Sequence, residues 1–441
     1  MANACDSVTR LNRMLDRPED IRDVMRSTIT AVAPLNTRVR KEVNSWSSGM
    51  MDQSNSPGTF NFGLSAQQEI RADRLHRDSV VVDLLSQHAG SNIFACYSAE
   101  LQARFRARIE RSETGLGTLA EAIYWPYEMS KIGESGLIQE WIQASGLTCG
   151  TYGINVHDGR DPLMNKWEDL VARYSDLPWL RYVTTAAGIR RAKREGFVAF
   201  YAHCQPSSPA PRNLKAFASA YGKGLRSFML TYNQMDNIGV GCTERVDAGL
   251  SMFGLEVVKY CNEVGMIVDV SHCGHLTTMD ACRHSRKPVN ANHTGARSIY
   301  SHARCKSNEA LRAIADTGGV IGVVAVPAFL TAESNPTIEH MLDHIDYIAD
   351  LVGWAHVAIG TDWPLQAPED ILQKSLVGSG KSIGFRDKDR LDVTKRLAGF
   401  DDCRDLPNIT RGLVKRGYSD QQICGILGEN ALRVFQEVWG E

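Results

Sequence analysis

The sequence has little of what marks a secreted, membrane-spanning or nucleic-acid-binding protein. Its 441 residues carry a formal net charge of −2, so basic side chains are not in excess for binding nucleic acid or an anionic membrane. No apolar run reaches the roughly 18 residues that a membrane span requires. The first residues, Met-Ala-Asn-Ala-Cys-Asp-Ser, lack the basic segment and apolar core of a secretory signal. We therefore expect a protein that contacts neither nucleic acid nor membrane.

The cysteines do not form a recognisable framework. There are eleven, an odd number, and no two have the spacing of a CxxC metal-binding or redox pair. This distribution favours a reduced protein without structural disulfides, and we expect a cytoplasmic location.

Two segments contain only part of a known motif. The stretch Val377-Gly-Ser-Gly-Lys381-Ser ends like a phosphate-binding loop but lacks the first glycine at the required spacing. His340 and His344 are four residues apart on a predicted helix, but the order of residues is not the HExxH of zinc peptidases. Neither segment is therefore interpreted as a catalytic motif.

Repeated strand and helix patterns are what the sequence does contain. Near-continuous runs of valine and isoleucine predict strands that are buried on both faces, as in a parallel sheet. Eight such units predict an α/β fold, a (β/α)8 TIM barrel. The helical patterns between them include residues 254–262 and 308–317. The predicted strands span residues 79–84, 147–156, 197–203, 227–232, 266–271, 288–293, 320–326 and 356–361.

The barrel is expected to occupy only part of the chain. Residues 1–64 predict an N-terminal extension of two amphipathic helices followed by a linker or lid rich in Ser, Gly and Asn. The strand and helix pattern of residues 65–441 predicts the barrel, with a surface insertion around 366–396 and a helical tail over the last 35 residues.

Four side chains follow predicted strands in order and suggest one site. His272 ends the stretch Val268-Asp-Val-Ser-His272, and His293 ends Pro288-Val-Asn-Ala-Asn-His293. Arg304 lies in the next loop and Asp362 follows the last strand. Since parallel strands of a barrel end at the same face, these side chains are expected to meet there. Two imidazoles and a carboxylate suit one divalent metal ion, and an arginine suits a substrate carboxylate.

At these positions the chain resembles the membrane (renal) dipeptidase family of zinc peptidases, a branch of the amidohydrolase superfamily. The resemblance runs from about residue 75 to the end. Besides the two histidine segments it includes Leu230-Thr-Tyr-Asn, Gly318-Gly-Val-Ile-Gly-Val, Val357-Ala-Ile-Gly-Thr-Asp362 and Leu427-Gly-Glu-Asn-Ala-Leu-Arg-Val. It implies a barrel of the metal-dependent hydrolase type with two zinc ions.

The resemblance also implies a role for each matching residue. His272 and His293 match the ligands of one metal ion, and Arg304 matches the arginine that receives the substrate carboxylate. Asp362 matches the carboxylate that binds the other metal ion and takes part in proton transfer. Tyr232 occupies the position of a family histidine near the scissile bond and is a candidate catalytic residue.

Three family ligands are missing from this sequence. The His-x-Asp pair of the first strand is replaced by Leu85 and Gln87, and the bridging glutamate by Gln205. A two-zinc centre is therefore not expected. One divalent ion remains the expectation, held by His272, His293 and Asp362 with help from His203; zinc is favoured and iron is the alternative. Gln205 and Gln87 are candidate substrate contacts.

The sequence therefore predicts a dipeptidase-like, metal-dependent hydrolase that cleaves an amide bond in a small carboxylate-bearing substrate, in a specialised biosynthetic pathway. A homodimer is an expectation from the resemblance alone. Two alternatives stay open: a repurposed single-metal enzyme on the same barrel (an Fe(II)-dependent oxidase, lyase or decarboxylase), and a non-catalytic ligand-binding relative.

Each site residue also has a structural explanation. The two histidines are alternatively hydrogen-bonded core residues, Asp362 a helix cap or ion-pair partner, Arg304 a surface residue, and Tyr232 a packing residue.

Overall fold

Strand segments from the two ends of the chain meet in one ring. The computed structural model describes residues 58–86, 100, 103, 107, 136–153, 156, 177–206, 210–362, 383–392, 395–401 and 403–440, which lie in the unit Ser54–Glu441. The strands are β1 (Cys149–Gly153), β2 (Leu180–Tyr182), β3 (Val198–Cys204), β4 (Leu225–Met229), β5 (Ile267–Asp269), β6 (Val289–Ala296), β7 (Cys305–Lys306), β8 (Ile321–Val323) and β9 (Val357–Ile359).

All strand pairs in this sheet are parallel, in the order β1-β3-β4-β5-β6-β8-β9. Val82 and Asp83 join the two edges, because Val82 pairs with Cys149 of β1 and Asp83 pairs with Ile359 of β9. The Asp83 amide donates to the Cys149 carbonyl, and the Leu84 amide to the Ile359 carbonyl, each at 2.9 Å. Eight segments therefore close into the (β/α)8 barrel that the sequence predicts.

The eight predicted strands are all present in the predicted order, and the barrel prediction is confirmed. The two further strands, β2 and β7, pair with β3 and β6. They have three and two residues, which is too short for a periodic hydrophobic signal.

Helices separate most of the strands. They are α1 (Ala66–Asp78), α2 (Gly136–Ala144), α3 (Ala186–Glu195), α4 (Leu214–Gly222), α5 (Met252–Val264), α6 (His275–His284), α7 (Asn308–Asp316), α8 (Pro327–Leu330), α9 (Ile338–Val352), α10 (Leu406–Lys415), α11 (Asp420–Cys424) and α12 (Asn430–Trp439). Short 3₁₀ turns cover Trp354–His356, Asp387–Asp389 and Cys403–Asp405, and Gly425–Glu429 form a π-helical turn. In the part of the chain that the structure describes, no helix combines the length and apolar character of a membrane span.

Local sequence sets the ends of α5, the helix that leads into β5. The Ser251 hydroxyl accepts a hydrogen bond from the Gly254 amide and caps the first turn. Gly265 ends the helix with a left-handed φ of +79°. A Cβ at this position would lie 2.7 Å from the Val438 carbonyl oxygen, so only glycine fits both the turn and the contact.

The end of the chain packs against the first strand segment. Leu432 and Phe435 of α12 share an apolar cluster with Val82. The carbonyl of Leu427, in the π-helical turn, accepts a hydrogen bond from the Val82 amide at 2.8 Å. The barrel ring therefore includes backbone contacts with the C-terminal segment.

The predicted extension and linker lie outside the described residues except for residues 58–64, and the predicted insertion does so except for residues 383–392, 395 and 396. Both stay predictions.

Candidate active site

Two imidazoles face each other at the carboxyl ends of β5 and β6. His272 follows β5, His293 lies within β6, and both side chains are buried. Their Nε2 atoms are 2.9 Å apart. The two histidines that the sequence predicts as a metal-ligand pair thus lie together at the mouth of the barrel.

A buried carboxylate links the two strand ends that carry this pair. Asp269 accepts hydrogen bonds from the backbone amides of Ser271 at 2.9 Å and Asn292 at 3.0 Å. The Ser271 hydroxyl donates to Asp269 at 2.5 Å and accepts from the His293 amide at 3.0 Å. The spacing of the histidines is therefore set by hydrogen bonds from backbone amides to the side chains of Asp269 and Ser271.

Gln205 lies against both imidazoles. Its side-chain nitrogen is 3.4 Å from Nε2 of His272 and 3.2 Å from Nε2 of His293. The oxygen and nitrogen of an amide exchange places by a half-turn of the group, so the oxygen can occupy this position instead. Gln205, predicted as a substrate contact, thus belongs to the same cluster as the histidine pair.

Two buried cations hold the backbone around His272. Arg304 donates to the carbonyls of Ser271 at 2.5 Å and His293 at 2.8 Å. The ammonium group of Lys306 donates to the Cys273 carbonyl at 2.7 Å. Among the described residues no carboxylate forms an ion pair with either cation. Arg304 and Lys306 therefore bring two cationic groups to a mouth that also contains Asp362, and Arg304 fixes the strand ends besides any contact with substrate.

This environment keeps both imidazoles neutral. Burial lowers the pKa of His272 and of His293 well below the ordinary value, and the nearby Arg304 and Lys306 charges lower both further. A neutral imidazole has a free nitrogen lone pair, which is the form that binds a metal ion.

Tyr232 covers one face of the histidine pair. Its ring stacks on His272 with centroids 4.0 Å apart and planes 20° apart. Burial, followed by the charge of Asp362, raises the pKa of Tyr232 above its usual range. The phenol therefore stays protonated and can donate a hydrogen bond in the mouth.

Asp362 follows β9 in a left-handed conformation, with a φ of +48°. Its amide donates to the Leu85 carbonyl at 2.8 Å, which ties the last strand to the first strand segment. Its charge acts on Tyr232 and on Asp83, so Asp362 shares the mouth with these groups.

Asp83 is a buried carboxylate that the sequence gives no reason to single out. Burial raises its pKa from 3.8 to about 6. It accepts hydrogen bonds from the Thr361 hydroxyl, from the Thr361 amide at 2.9 Å and from the Leu85 amide at 3.1 Å. Asp83 therefore supports the backbone beside Asp362.

Two predicted site residues are not joined to the histidine pair by the contacts that the structure describes. His203 is buried in β3, with Nδ1 3.1 Å from the Ser227 hydroxyl and Nε2 3.7 Å from Asp269. Gln87 lies outside the described residues. Their predicted roles stay predictions.

The family model described as membrane dipeptidase (peptidase family M19) matches residues 59–375 and 382–439. The chain belongs to the membrane dipeptidase family. It is thereby placed among metal-dependent hydrolases, and its barrel is the one expected of the family.

Several solved structures share this fold. A structure described as an amidohydrolase from Pseudomonas aeruginosa is 26% identical, with a TM-score of 0.64, over 84% of this chain and 99% of the other. A metallopeptidase called dipeptidase AC is 20% identical, with a TM-score of 0.57, over 69% and 89%. A metallopeptidase from Rhodobacter sphaeroides is 18% identical, with a TM-score of 0.57, over 82% and 100%. The last two likenesses concern the fold alone.

The residues of this chain do not fit the two-metal centre that the dipeptidase family implies. At the first strand segment, Leu85 is a buried apolar side chain that cannot coordinate a metal ion. Within the described ranges, no three His, Cys, Asp or Glu side chains form a group that could hold a metal ion. Asp362 is therefore not placed in such a group with His272 and His293.

One metal ion fits the cluster better. His272, His293 and the Gln205 amide have polar atoms 2.9 to 3.4 Å apart. Donors at bonding distance around one tetrahedral zinc ion are about 3.3 Å apart, from Zn–N distances of roughly 2.0–2.1 Å. The three side chains therefore have the spacing of one shared ion, provided that Gln205 presents its oxygen.

Proposed function

We propose that this protein uses one metal ion to hydrolyse an amide bond in a small substrate that carries a carboxylate. The observation that carries the proposal is the convergence of His272, His293 and Gln205 at the carboxyl ends of the barrel strands. Family membership supports the reaction class. A specialised biosynthetic substrate is proposed because the chain departs from the usual ligand set.

Zinc is the proposed metal, held by Nε2 of each histidine and by the amide oxygen of Gln205. When bound, a zinc ion supplies an acidified water as nucleophile and polarises a carbonyl. The chain's own contribution is to keep both imidazoles neutral and buried, and to hold their backbone through Ser271 and Arg304.

Proton transfer is assigned to Asp362 and hydrogen bonding to Tyr232. A carboxylate at the mouth can accept a proton and pass it to the leaving amine. The Tyr232 hydroxyl, which stays protonated, would donate to an oxygen of the substrate. These roles follow from the position of both side chains at the mouth.

Two buried cationic side chains at the mouth support a carboxylate-bearing substrate. Arg304 and Lys306 are buried and form no ion pair with another described residue, and a buried cation favours a ligand that supplies an anion. The metallopeptidase from Rhodobacter sphaeroides was solved with a phosphinate mimic of the dipeptide L-Ala-D-Ala. A compound of that size and charge is the substrate class proposed here.

The experiment measures metal content and hydrolysis in the same samples. Elemental mass spectrometry gives metal per chain for the wild type, the His272→Ala/His293→Ala double variant and the His284→Ala control, which alters an exposed histidine of α6. Dipeptides with L or D C-terminal residues, and their C-terminal amides, are then tested by mass spectrometry. We expect about one zinc per chain, lost only in the double variant, and cleavage of free acids over amides.

The outcomes separate the parts of the proposal. Zinc-loaded protein that cleaves no dipeptide would contradict the hydrolase assignment. Equal cleavage of acids and amides would contradict the carboxylate requirement. A full zinc complement in the double variant would contradict the assigned ligands.

A reducing, cytoplasmic setting is part of the proposal. Seven of the described cysteines, among them Cys149, Cys261 and Cys273, are free thiols, as a reducing compartment would keep them. Localisation of the tagged full chain by fractionation tests this.

A further inference from the structure

We infer that Asn233 is a positioning residue that determines which ring nitrogen of His272 carries the proton. It also links the orientation of this imidazole to the position of the segment 383–389. This segment, which lies within the predicted insertion, is called the return segment. The inference deepens the proposed function, since it concerns how one metal-binding histidine is held. Asn233 lies just beyond β4 and is fully buried.

The hydrogen bonds of Asn233 determine which way its amide points. One side-chain atom is 2.8 Å from the Ile383 carbonyl oxygen and the other is 2.7 Å from Nδ1 of His272. A carbonyl only accepts, so the nitrogen of the Asn233 amide faces Ile383 and its oxygen faces His272.

The amide orientation then determines the tautomer of His272. Because the Asn233 oxygen accepts, Nδ1 of the neutral imidazole carries the hydrogen. Nε2 is left with its lone pair, directed towards His293 and Gln205. A hydrogen-bond acceptor on the nitrogen that does not bind metal, here Nδ1, fixes the ring orientation of a metal-binding histidine.

The backbone of Asn233 is held in place independently of the imidazole. Its φ is +46°, in the left-handed region. The amide and the hydroxyl of Thr243 both donate to the Asn233 carbonyl at 3.0 Å. A Cβ at Gly241 would lie 2.0 Å from the Asn233 carbonyl carbon, so the two backbones are in close contact. The Asn233 side chain therefore has little freedom to move with Ile383 if the return segment shifts.

The return segment reaches the site at a second point. The Asp389 carbonyl lies 2.6 Å from Nε2 of His302, and Nδ1 of His302 accepts from the Arg304 amide at 3.1 Å. Ile383 thus contacts Asn233, which holds His272, and Asp389 contacts His302, which holds the backbone of Arg304. The position of one segment is therefore linked to two site residues.

Gly384 gives a way to disturb the segment without touching an imidazole. Its φ is +92°, and an added Cβ would lie 2.6 Å from Cγ of Gln234 and 3.2 Å from Cβ of Asn233. Gly384→Ala should therefore push the return segment and Asn233 apart. Gly417→Ala is the matched control, because Gly417 has a φ of +82° but no atom within 4 Å of an added Cβ.

The test reads the tautomer directly in the full-length, metal-free chain. Histidine is labelled with ¹⁵N, long-range ¹H–¹⁵N spectra distinguish Nδ1–H from Nε2–H, and a His272→Gln sample assigns the signal. We expect Nδ1–H in the wild type, in Asn233→Asp and in Gly417→Ala. Asn233→Leu, which removes the acceptor, and Gly384→Ala should both populate Nε2–H.

Zinc affinity measured by chelator competition is the second readout. Loss of the hydrogen-bond acceptor on Nδ1 should weaken zinc binding by about 10–100-fold in Asn233→Leu and Gly384→Ala, with little change in Gly417→Ala. An Nε2–H tautomer in the wild type, or an unchanged tautomer in Asn233→Leu, would overturn the role of Asn233. Identical behaviour of Gly384→Ala and Gly417→Ala would overturn the coupling. A wild type that binds no zinc would refute the proposed function and leave the tautomer result to be judged separately.

Discussion

The ends of β5 and β6 present two neutral imidazoles, whereas the end of the first strand segment presents the apolar side chain of Leu85. Both lie at the same mouth, and both are supported by a buried aspartate, Asp269 on one side and Asp83 on the other. The backbone support is thus present on both sides, but side chains that can bind metal converge only on the histidine side among the described residues. Loss of metal ligands has not required loss of the barrel's internal hydrogen bonds.

The largest effect is expected where the two sides are contrasted directly. His293→Ala should weaken zinc binding by more than about 100-fold, because it removes a ligand itself rather than a partner of a ligand. Leu85→Ala should leave zinc affinity unchanged and cost about 2–5 kcal/mol of unfolding free energy, the usual cost of truncating a buried leucine. Chelator competition and urea unfolding measure the two quantities. A similar loss of zinc affinity in both variants would break the comparison.

A second prediction concerns the helix that leads into the first strand segment. His76 of α1 is buried between the Thr410 hydroxyl, 2.7 Å from Nδ1, and the Ser145 carbonyl, 2.8 Å from Nε2. Burial lowers its pKa from 6.5 to about 4. Between these two pH values, His76 binds more protons in the unfolded chain than in the folded protein. The stability contributed by His76 is therefore complete above pH 6.5 and is lost as the pH falls towards 4, by at most about 3 kcal/mol.

Urea unfolding of the wild type and His76→Gln at several pH values checks this. The stability difference between the two proteins should shrink as the pH falls from 6.5 to 4. A constant difference would show that protonation of His76 does not weaken this side of the barrel.

The smallest predicted effect sharpens the chemical difference between the two sides. Gln205→Glu restores a negatively charged donor beside the histidine pair and should tighten zinc binding by about tenfold, or about 1.4 kcal/mol. Gln205→Leu should weaken it. Affinities are compared at constant pH and salt. If both variants have the wild-type affinity, Gln205 is not a metal donor.

The barrel and the histidine pair could be predicted because each depends on local patterns. The runs ending at His272 and His293 are apolar, short and of a length typical of buried strands, and parallel strands align their ends without further information. The same logic placed Asp362 after the last strand.

The supporting contacts could not be predicted, because they join residues far apart in the chain. The bond from Asn233 to Ile383 spans 150 residues, and that from Thr361 to Asp83 spans 278. Asn233 gave one signal, a polar residue directly after a strand. Lys306 gave none, because a buried lysine is rare and its partner here is a backbone carbonyl.

The bond between the Val82 amide and the Leu427 carbonyl has a consequence for biosynthesis. A ribosome makes Val82 long before Leu427, so this amide lacks its native partner while the intervening residues are synthesised. Contacts between such distant residues close slowly, and exposed strand edges invite association with other chains. A nascent chain of this protein therefore carries this unpaired backbone amide beside the barrel edge until the π-helical turn has been synthesised.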